Sequence, residues 1–279
     1  MMSFKQGHLW GGRLLFIPAF MALFPAACWA VNFYDGARAP AGKYVLSYTS
    51  LYHADTTTDK NGRTAQTGYD YTRIEELARF CYYTPDAVFT ALVPAGRVRS
   101  GYYGTSSSGI GDILAGVGYF VPLKEADILP MLFVKFPTGE YDSAQNVNYG
   151  TNQYDIRSAV FFYTQAGRFS IDAAIKYHVR LKNRGTNSMP GDELHLQLLP
   201  GWKLGKRCKL GPSLNWMKSR PQEKNGAEVP DSRRESFSAG ADFYVRLKPV
   251  SITLTFLRDI RAKNAAKGDF FQLKTCYAF

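Results

Sequence analysis

The sequence predicts an all-β protein, an antiparallel transmembrane β-barrel of the outer-membrane type, with about 12 strands. Three observations lead to this prediction. Apolar and polar residues alternate over long stretches, turn residues separate these stretches, and the chain opens with an export signal. A strand that crosses a bilayer has a period of two because one face meets lipid and the other faces the lumen.

The first 30 residues predict a signal peptide. Lys5 and Arg13 supply positive charge, a mostly apolar stretch follows, and small residues occupy the positions expected before a cleavage after Ala30. Two prolines interrupt the apolar stretch, which is shorter than the roughly 20 residues of a membrane-spanning helix. We therefore expect a signal peptide over residues 1–30 and a barrel over residues 31–279.

The formal net charge is +11. A basic balance suits nucleic-acid binding and many other functions, so charge alone does not decide the class. The sequence has neither a phosphate-binding glycine loop nor a zinc-ligand spacing. Cys81, Cys208 and Cys276 lie far apart, which predicts free thiols. We therefore expect no cofactor, no metal and no nucleic-acid partner.

Alternating segments cover the mature chain. In the clearest one, Ile171 belongs to the apolar face and His178 to the polar face. By the same alternation, Leu196 and Val245 are predicted to face lipid. The predicted strands are 43–53, 70–83, 87–98, 111–121, 128–137, 153–165, 169–180, 193–204, 208–219, 236–247, 250–258 and 269–279. Ten or fourteen strands also fit, because prolines that remove ladder donors lie in or near three segments, at Pro130, Pro200 and Pro212.

The connections between the segments alternate in character. Short links with turn residues are expected at 84–86, 166–168 and 248–249. Longer polar links are expected at 54–69, 99–110, 138–152, 181–192, 220–235 and 259–268. Barrels of the bacterial outer membrane have short periplasmic turns and long extracellular loops, so both termini are expected on the periplasmic side.

The last segment ends in an aromatic residue. Phe279, Tyr277 and Leu273 share one face of it. An alternating strand with a terminal aromatic residue resembles the recognition signal for outer-membrane barrel assembly, so Phe279 is the predicted assembly signal. The expected location is the bacterial outer membrane, and the expected partners are its lipid, its lipopolysaccharide and the barrel-assembly machinery.

Aromatic residues near segment ends are predicted to form girdles at the two membrane interfaces. Ordinary strand aromatics are the alternative interpretation, since aromatic residues favour β structure anyway. The girdle candidates are Tyr44, Tyr48, Tyr52, Tyr177, Trp202, Trp216, Phe256, Tyr277 and Phe279.

The predicted inward faces gather charges of both signs. Such residues tune selectivity when the lumen is hydrated, and they close the barrel when they pair across neighbouring strands. Basic members slightly outnumber acidic ones, which predicts a weak preference for anionic or polarizable solutes. The lumen and selectivity candidates are Asp155, Arg157, Asp172, Lys176, His178, Arg180, Glu193, His195, Lys203, Asp242, Arg246 and Lys274.

Two short motifs support a family resemblance. Residues 109–112 read Gly-Ile-Gly-Asp and lead into a predicted strand, and residues 135–142 read Lys-Phe-Pro-Thr-Gly-Glu-Tyr-Asp. The chain resembles the meta-pathway phenol-degradation outer-membrane proteins over most of its mature length. The resemblance implies a transporter-like barrel associated with the degradation of aromatic compounds, and it supplies no catalytic residues.

Two classes of function remain open, with a structural or adhesin barrel as a third. The first is a channel for small, aromatic or hydrophobic solutes. The second is a barrel enzyme that hydrolyses lipid or peptide, for which Ser170, Asp172, His178, Glu193 and His195 supply suitable residue types. No nucleophile motif surrounds a serine, so the channel is the preferred hypothesis.

We expect the terminal aromatic residue to control assembly. Deletion of Phe279 should reduce insertion of the barrel into the membrane more than replacement of Lys274 by Gln. Heat-modifiable gel migration of membrane fractions measures the inserted protein. Equal insertion of the two variants would contradict the assigned role of Phe279.

Overall fold

The computed structural model describes residues 31–183 and 185–279, so the predicted signal peptide lies outside the described residues. No helix in these ranges is long and apolar enough to cross a membrane. The described chain is built from strands, turns and loops. The strands are β1 (Gly42–Thr58), β2 (Thr64–Tyr83), β3 (Ala87–Ser100), β4 (Thr105–Ile110), β5 (Leu114–Tyr119), β6 (Ala126–Lys135), β7 (Asp155–Ala166), β8 (Phe169–Arg180), β9 (Ser188–Met189), β10 (Glu193–Leu204), β11 (Cys208–Ser219), β12 (Glu223–Lys224), β13 (Ala227–Glu228), β14 (Glu235–Leu247), β15 (Val250–Lys263) and β16 (Ala266–Ala278).

Thirteen of these strands pair into one sheet that closes on itself. The order is β2-β1-β16-β15-β14-β11-β10-β8-β7-β6-β5-β3-β4, and β2 also pairs with β3. Two short strands share one position in the wall, because β4 pairs with residues 95–100 of β3 and β5 pairs with residues 87–92. The barrel therefore has twelve strand positions, all antiparallel, which confirms the predicted fold and number.

The predicted boundaries are correct for 169–180, 193–204 and 208–219. The largest errors occur where strands extend into segments that were predicted to be loops. Three of the predicted long loops, at 54–69, 99–110 and 259–268, are mostly strand and contain only tight turns. At the start of β2, each residue from Thr64 to Gly68 is exposed or half-buried. Water surrounds both faces there, so the alternation that marks a membrane strand disappears.

Prolines lie inside the strands, and each one coincides with an interrupted ladder. Pairing of β10 with β11 stops after Leu198–Leu214 and resumes at Trp202–Leu210, and Pro200 and Pro212 lie in that gap. Pairing of β5 with β6 begins at Met131, directly after Pro130. The same prolines remain paired with the other neighbouring strand. This pairing keeps each strand in the sheet although proline has no N–H donor.

The predicted lipid and lumen faces agree with burial on two strands. Ile171 and Leu196 are exposed on the outer surface by 42% and 40%, whereas His178 and Gln197 are buried at 6% and 4%. Val245 on β14 is half-buried beside the buried Tyr244. The alternation therefore assigns the register of β8 and β10 correctly.

Three of the girdle candidates are wrong. Tyr48 and Tyr52 are buried in the lumen, and Tyr44, on the same face of β1, donates a hydrogen bond to the carbonyl oxygen of Pro40 at 2.8 Å. Outer-surface positions remain for the other candidates, and Trp202 and Tyr277 are exposed. Aromatic composition alone does not tell a lumen face from a lipid face, since the tyrosines of β1 lie on its lumen face.

Part of the lumenal wall is apolar, a feature that the sequence analysis did not predict. The buried apolar cluster draws on β1, β2, β3, β5, β6, β7 and β8. On β3, Val88 and Leu92 point inward while Phe89 is exposed on the outside. Both faces of such a strand are apolar, so the period of two is present but does not identify the lumen.

Register can be tested with one residue pair on β10. Arg in place of Leu196 should lower the free energy of unfolding by about 2–4 kcal/mol if the site lies near the midplane, because a charge there faces lipid. Arg in place of the adjacent Gln197, which faces the lumen, should cost much less. Unfolding titrations of both variants in lipid vesicles measure the difference, and a larger cost at Gln197 would contradict the register.

Candidate functional site

Two adjoining cavities occupy the lumen. The first is called the apolar chamber and the second the polar chamber. They share the lining residues Leu114, Arg157 and His178, so they adjoin within the lumen, and together they are called the lumenal path. The apolar chamber is lined by Asp35, Tyr48, Leu77, Arg79, Leu92, Leu114, Phe133, Arg157, Ser158, Ala159, Phe161, Lys176, His178 and Gln272.

The polar chamber is held by an ion-pair network centred on two buried carboxylates. Glu193 Oε1 lies 2.7 Å from Arg180 Nη1 and also contacts Arg234, while Glu193 Oε2 lies 3.1 Å from His195 Nε2. Because these charges leave water on folding, they are tolerated only as matched pairs. The network therefore links β8, β10 and the loop that precedes β14.

The second carboxylate extends the network across the wall. Asp155 Oδ2 on β7 lies 2.7 Å from Lys135 Nζ, 3.3 Å from Arg180 Nε and 3.7 Å from Arg157 Nη2. His178 Nδ1 lies 3.7 Å from Glu193 Oε2. The structure thus brings together six of the predicted lumen residues, and pairing across neighbouring strands is what most of them do. Their role in selectivity stays a prediction.

A long loop folds into the barrel and covers the polar chamber. Val147 and Tyr149 of residues 136–154 are buried at 3% and 2%, and the Tyr149 hydroxyl donates to Glu75 Oε2 at 3.0 Å. Asp112 holds this loop: its carboxylate accepts the backbone N–H groups of Gly139 and Thr151, both at 3.0 Å. Sequence reasoning did not assign Asp112 or Tyr149 to the site.

The two family motifs meet at this anchor. Ile113 donates its N–H to Thr138 Oγ1 at 3.0 Å, and that hydroxyl donates to the Gly111 carbonyl oxygen at 3.1 Å. A Cβ atom on Gly139 would lie 2.8 Å from Gly150 Cα, so the loop closes only with glycine there. The Gly-Asp and Thr-Gly motifs were therefore the available signal for this contact.

The segment before β1 enters the lumen from the end where the short turns lie. Val31, Asn32 and Phe33 are almost fully buried. Tyr34 donates its backbone N–H to Asp172 Oδ1 at 2.6 Å, and Asn32 Nδ2 donates to Thr255 Oγ1 at 2.8 Å. This N-terminal segment, residues 31–41, covers the end of the apolar chamber that lies toward the short turns.

Charged residues of the wall anchor the N-terminal segment. Asp35 contacts Lys274 Nζ, and Lys209 Nζ lies 2.7 Å from Asp172 Oδ2 and 4.1 Å from the centre of the Phe33 ring. Burial alone would raise the pKa of the Asp35 carboxyl, but the charges of Lys274 and Arg79 and the Asn32 N–H hold it below its ordinary value. The anchor is therefore ionised at neutral pH and is lost only as pH falls below the usual carboxylate range.

The remaining candidates lie apart from the ion-pair network. Asp242 is buried beside Asn32, with Asn32 Nδ2 donating to Asp242 Oδ2 at 3.4 Å. Lys176 lines the apolar chamber, with Nζ 5.5 Å from the centre of the Phe161 ring. Lys203 is half-buried and Arg246 is exposed, both near the short turns.

The geometry of these residues supports an ion-pair network better than it supports a metal site or a hydrolytic site. Donor atoms of His178, Glu193 and His195 lie within 4.8 Å of one another, but the same glutamate already balances Arg180 and Arg234. A divalent cation would add positive charge to a cluster that arginine already occupies. Ser170 precedes His178 by eight residues on β8, which is about 26 Å along a strand, far beyond hydrogen-bond reach.

Comparisons with known proteins agree with this architecture. The model of the family described as "Putative MetA-pathway of phenol degradation" matches residues 54–275, which confirms the resemblance seen in the sequence. A comparison with the curated proteins found no match.

Among solved structures, an outer membrane channel from Pseudomonas putida F1 is similar with a TM-score of 0.82 and 18% identity, over 89% of this chain and 100% of that one. The NanC porin is similar with a TM-score of 0.52 and 7% identity, over 84% of this chain and 100% of that one. The translocator domain of the autotransporter NalP from Neisseria meningitidis has a TM-score of 0.50 and 10% identity, over 88% of this chain and 91% of that one. These likenesses show the fold of an outer-membrane β-barrel.

The N-terminal segment should loosen when its anchor is removed. In the Asp35→Asn variant, buried Lys274 loses its charged partner, so amide exchange at residues 32–36 should accelerate at least about tenfold. Hydrogen–deuterium exchange in detergent measures this rate. Asp55→Asn removes a charge from an exposed site on β1 and should leave the rate unchanged. Equal rates in all three proteins would contradict the anchor.

Proposed function

This chain belongs to the family described as "Putative MetA-pathway of phenol degradation". We propose that the barrel is an outer-membrane channel for small hydrophobic or aromatic solutes. The printed name of the similar Pseudomonas putida F1 protein, an outer membrane channel, supports the coarser part of this proposal.

The observation that carries the solute class is the apolar chamber. Leu77, Leu92, Leu114, Phe133 and Phe161 line it from several strands. A lumen that conducts ions and polar solutes is lined by polar groups and filled with water. An apolar wall instead favours solutes that gain free energy when they leave water.

Two aromatic side chains of the apolar chamber suit a flat solute. Aromatic edges of Phe133 and Phe161 offer contact to a flat ring. These features support binding during passage rather than free diffusion.

Both ends of the path are covered by segments of the chain itself. The N-terminal segment lies below the apolar chamber, and residues 136–154 lie above the polar chamber. Passage along the whole path therefore requires both segments to move. In this proposal the channel is gated, and the structure represents its closed form.

Uptake by cells tests the proposal. Cells with a lipopolysaccharide outer leaflet should take up the neutral dye N-phenylnaphthylamine faster when they carry the barrel. Trp in place of Leu92 fills the apolar chamber and should slow this uptake severalfold, because large side chains occupy the space of the solute. Fluorescence of the dye against time gives the rate.

The matched control lies on the same strand. Trp in place of Phe89, on the lipid face of β3, should leave uptake unchanged, since it adds nothing to the lumen. Uptake by cells with the barrel that does not exceed uptake by cells without it would overturn the channel.

A further inference from the structure

We propose that the apolar chamber is a binding site for amphipathic organic anions, in which Arg79, Arg157 and Lys176 receive the anionic group and the apolar wall receives the hydrophobic body. This inference rests on the channel function proposed above and names the solute class more narrowly. An aromatic carboxylate is the simplest ligand of this chemistry.

The charges that line the chamber do not balance. Arg79, Arg157 and Lys176 face Asp35, the one carboxylate among the lining residues of the described chain. That carboxylate contacts Lys274, which is not part of the lining, and Arg157 Nη2 lies 3.7 Å from Asp155 Oδ2 of the ion-pair network. Among the lining residues, basic side chains therefore outnumber carboxylates beside the apolar surface.

The basic groups approach from two sides of the barrel. Arg157 and Lys176 come from the neighbouring strands β7 and β8, and Arg79 comes from β2. Thr90 Oγ1 accepts from Arg79 Nε at 3.0 Å, and the Tyr48 hydroxyl lies 3.4 Å from Arg79 Nη1. These hydroxyls orient the guanidinium without neutralising it.

The Phe161 ring provides an uncharged surface beside Lys176. Lys176 Nζ lies 5.5 Å from the centre of the Phe161 ring, and the aromatic side chain also lines the chamber. A solute whose ring packs on Phe161 would place a carboxylate within reach of Lys176. The same wall thus supplies contacts for both parts of an amphipathic anion.

Physical chemistry favours an anion here over a neutral solute. Charges in a pocket of low polarity attract an opposite charge more strongly than charges in water do. The guanidinium group matches a carboxylate with parallel N–H donors, and the ammonium group adds a point charge. An amphipathic cation would instead meet repulsion from all three basic residues.

Flux into proteoliposomes tests the inference with three probes of one size: benzoate, benzamide and benzylamine. The full barrel should carry benzoate about tenfold faster than benzamide, as expected for one added charge-assisted hydrogen bond, and benzylamine more slowly than either. Rates in protein-free liposomes are subtracted. Arg79→Gln and Lys176→Gln should each bring the benzoate and benzamide rates close together.

Two further variants separate charge from structural damage. Arg79→Lys keeps the positive charge and should retain much of the benzoate preference. Lys267→Gln removes the same charge from an exposed position on β16 and should change nothing. Heat-modifiable migration confirms that each variant forms the barrel.

The results distinguish this inference from the channel itself. Equal rates of benzoate and benzamide through the unaltered barrel would overturn the anion site and leave the channel standing. A preference for benzoate that survives both Gln variants would also overturn it. Absence of flux for every probe would overturn the channel as well.

Discussion

Every backbone donor and acceptor in the hydrocarbon layer must find a partner within the protein, and the rest of the molecule follows from this constraint. The chain meets it with a closed antiparallel ladder in which β2 joins both β1 and β3. The closed ladder separates an outer face, where apolar side chains meet lipid, from an inner face that is free to vary. The inner face is therefore the place where charge, loops and cavities can accumulate.

The inner face is divided rather than uniform. Toward the end with the long loops, Asp155 and Glu193 form ion pairs with basic residues of β6, β7, β8 and the loop that precedes β14. Farther down, large apolar side chains and a few basic groups surround the apolar chamber. Two inward-folded segments then cover the ends. Ion pairing is thus concentrated around the polar chamber, and the proposed solute contact lies in the apolar chamber.

The fold was largely predictable from the sequence because alternation with a period of two survives wherever one face is polar. Strand β8 shows this, with Ile171 outside and His178 inside. Prediction failed where the physical cause of the pattern was absent: both faces of Thr64–Gly68 meet water, and both faces of β3 are apolar. The site was only partly predictable. Charged lumen residues follow from register. Asp112 lies in a recognised Gly-Asp motif whose partner loop the sequence does not identify, and no local pattern indicates that the segment with Asp35 enters the lumen.

The loop anchor and the ion-pair network have one group in common. Lys135 Nζ lies 2.7 Å from Asp155 Oδ2 and 3.4 Å from Asp112 Oδ2, and it also contacts Thr151 of the covering loop. Loss of this one ammonium group would therefore remove a partner from two buried carboxylates, one in the wall and one that holds the covering loop.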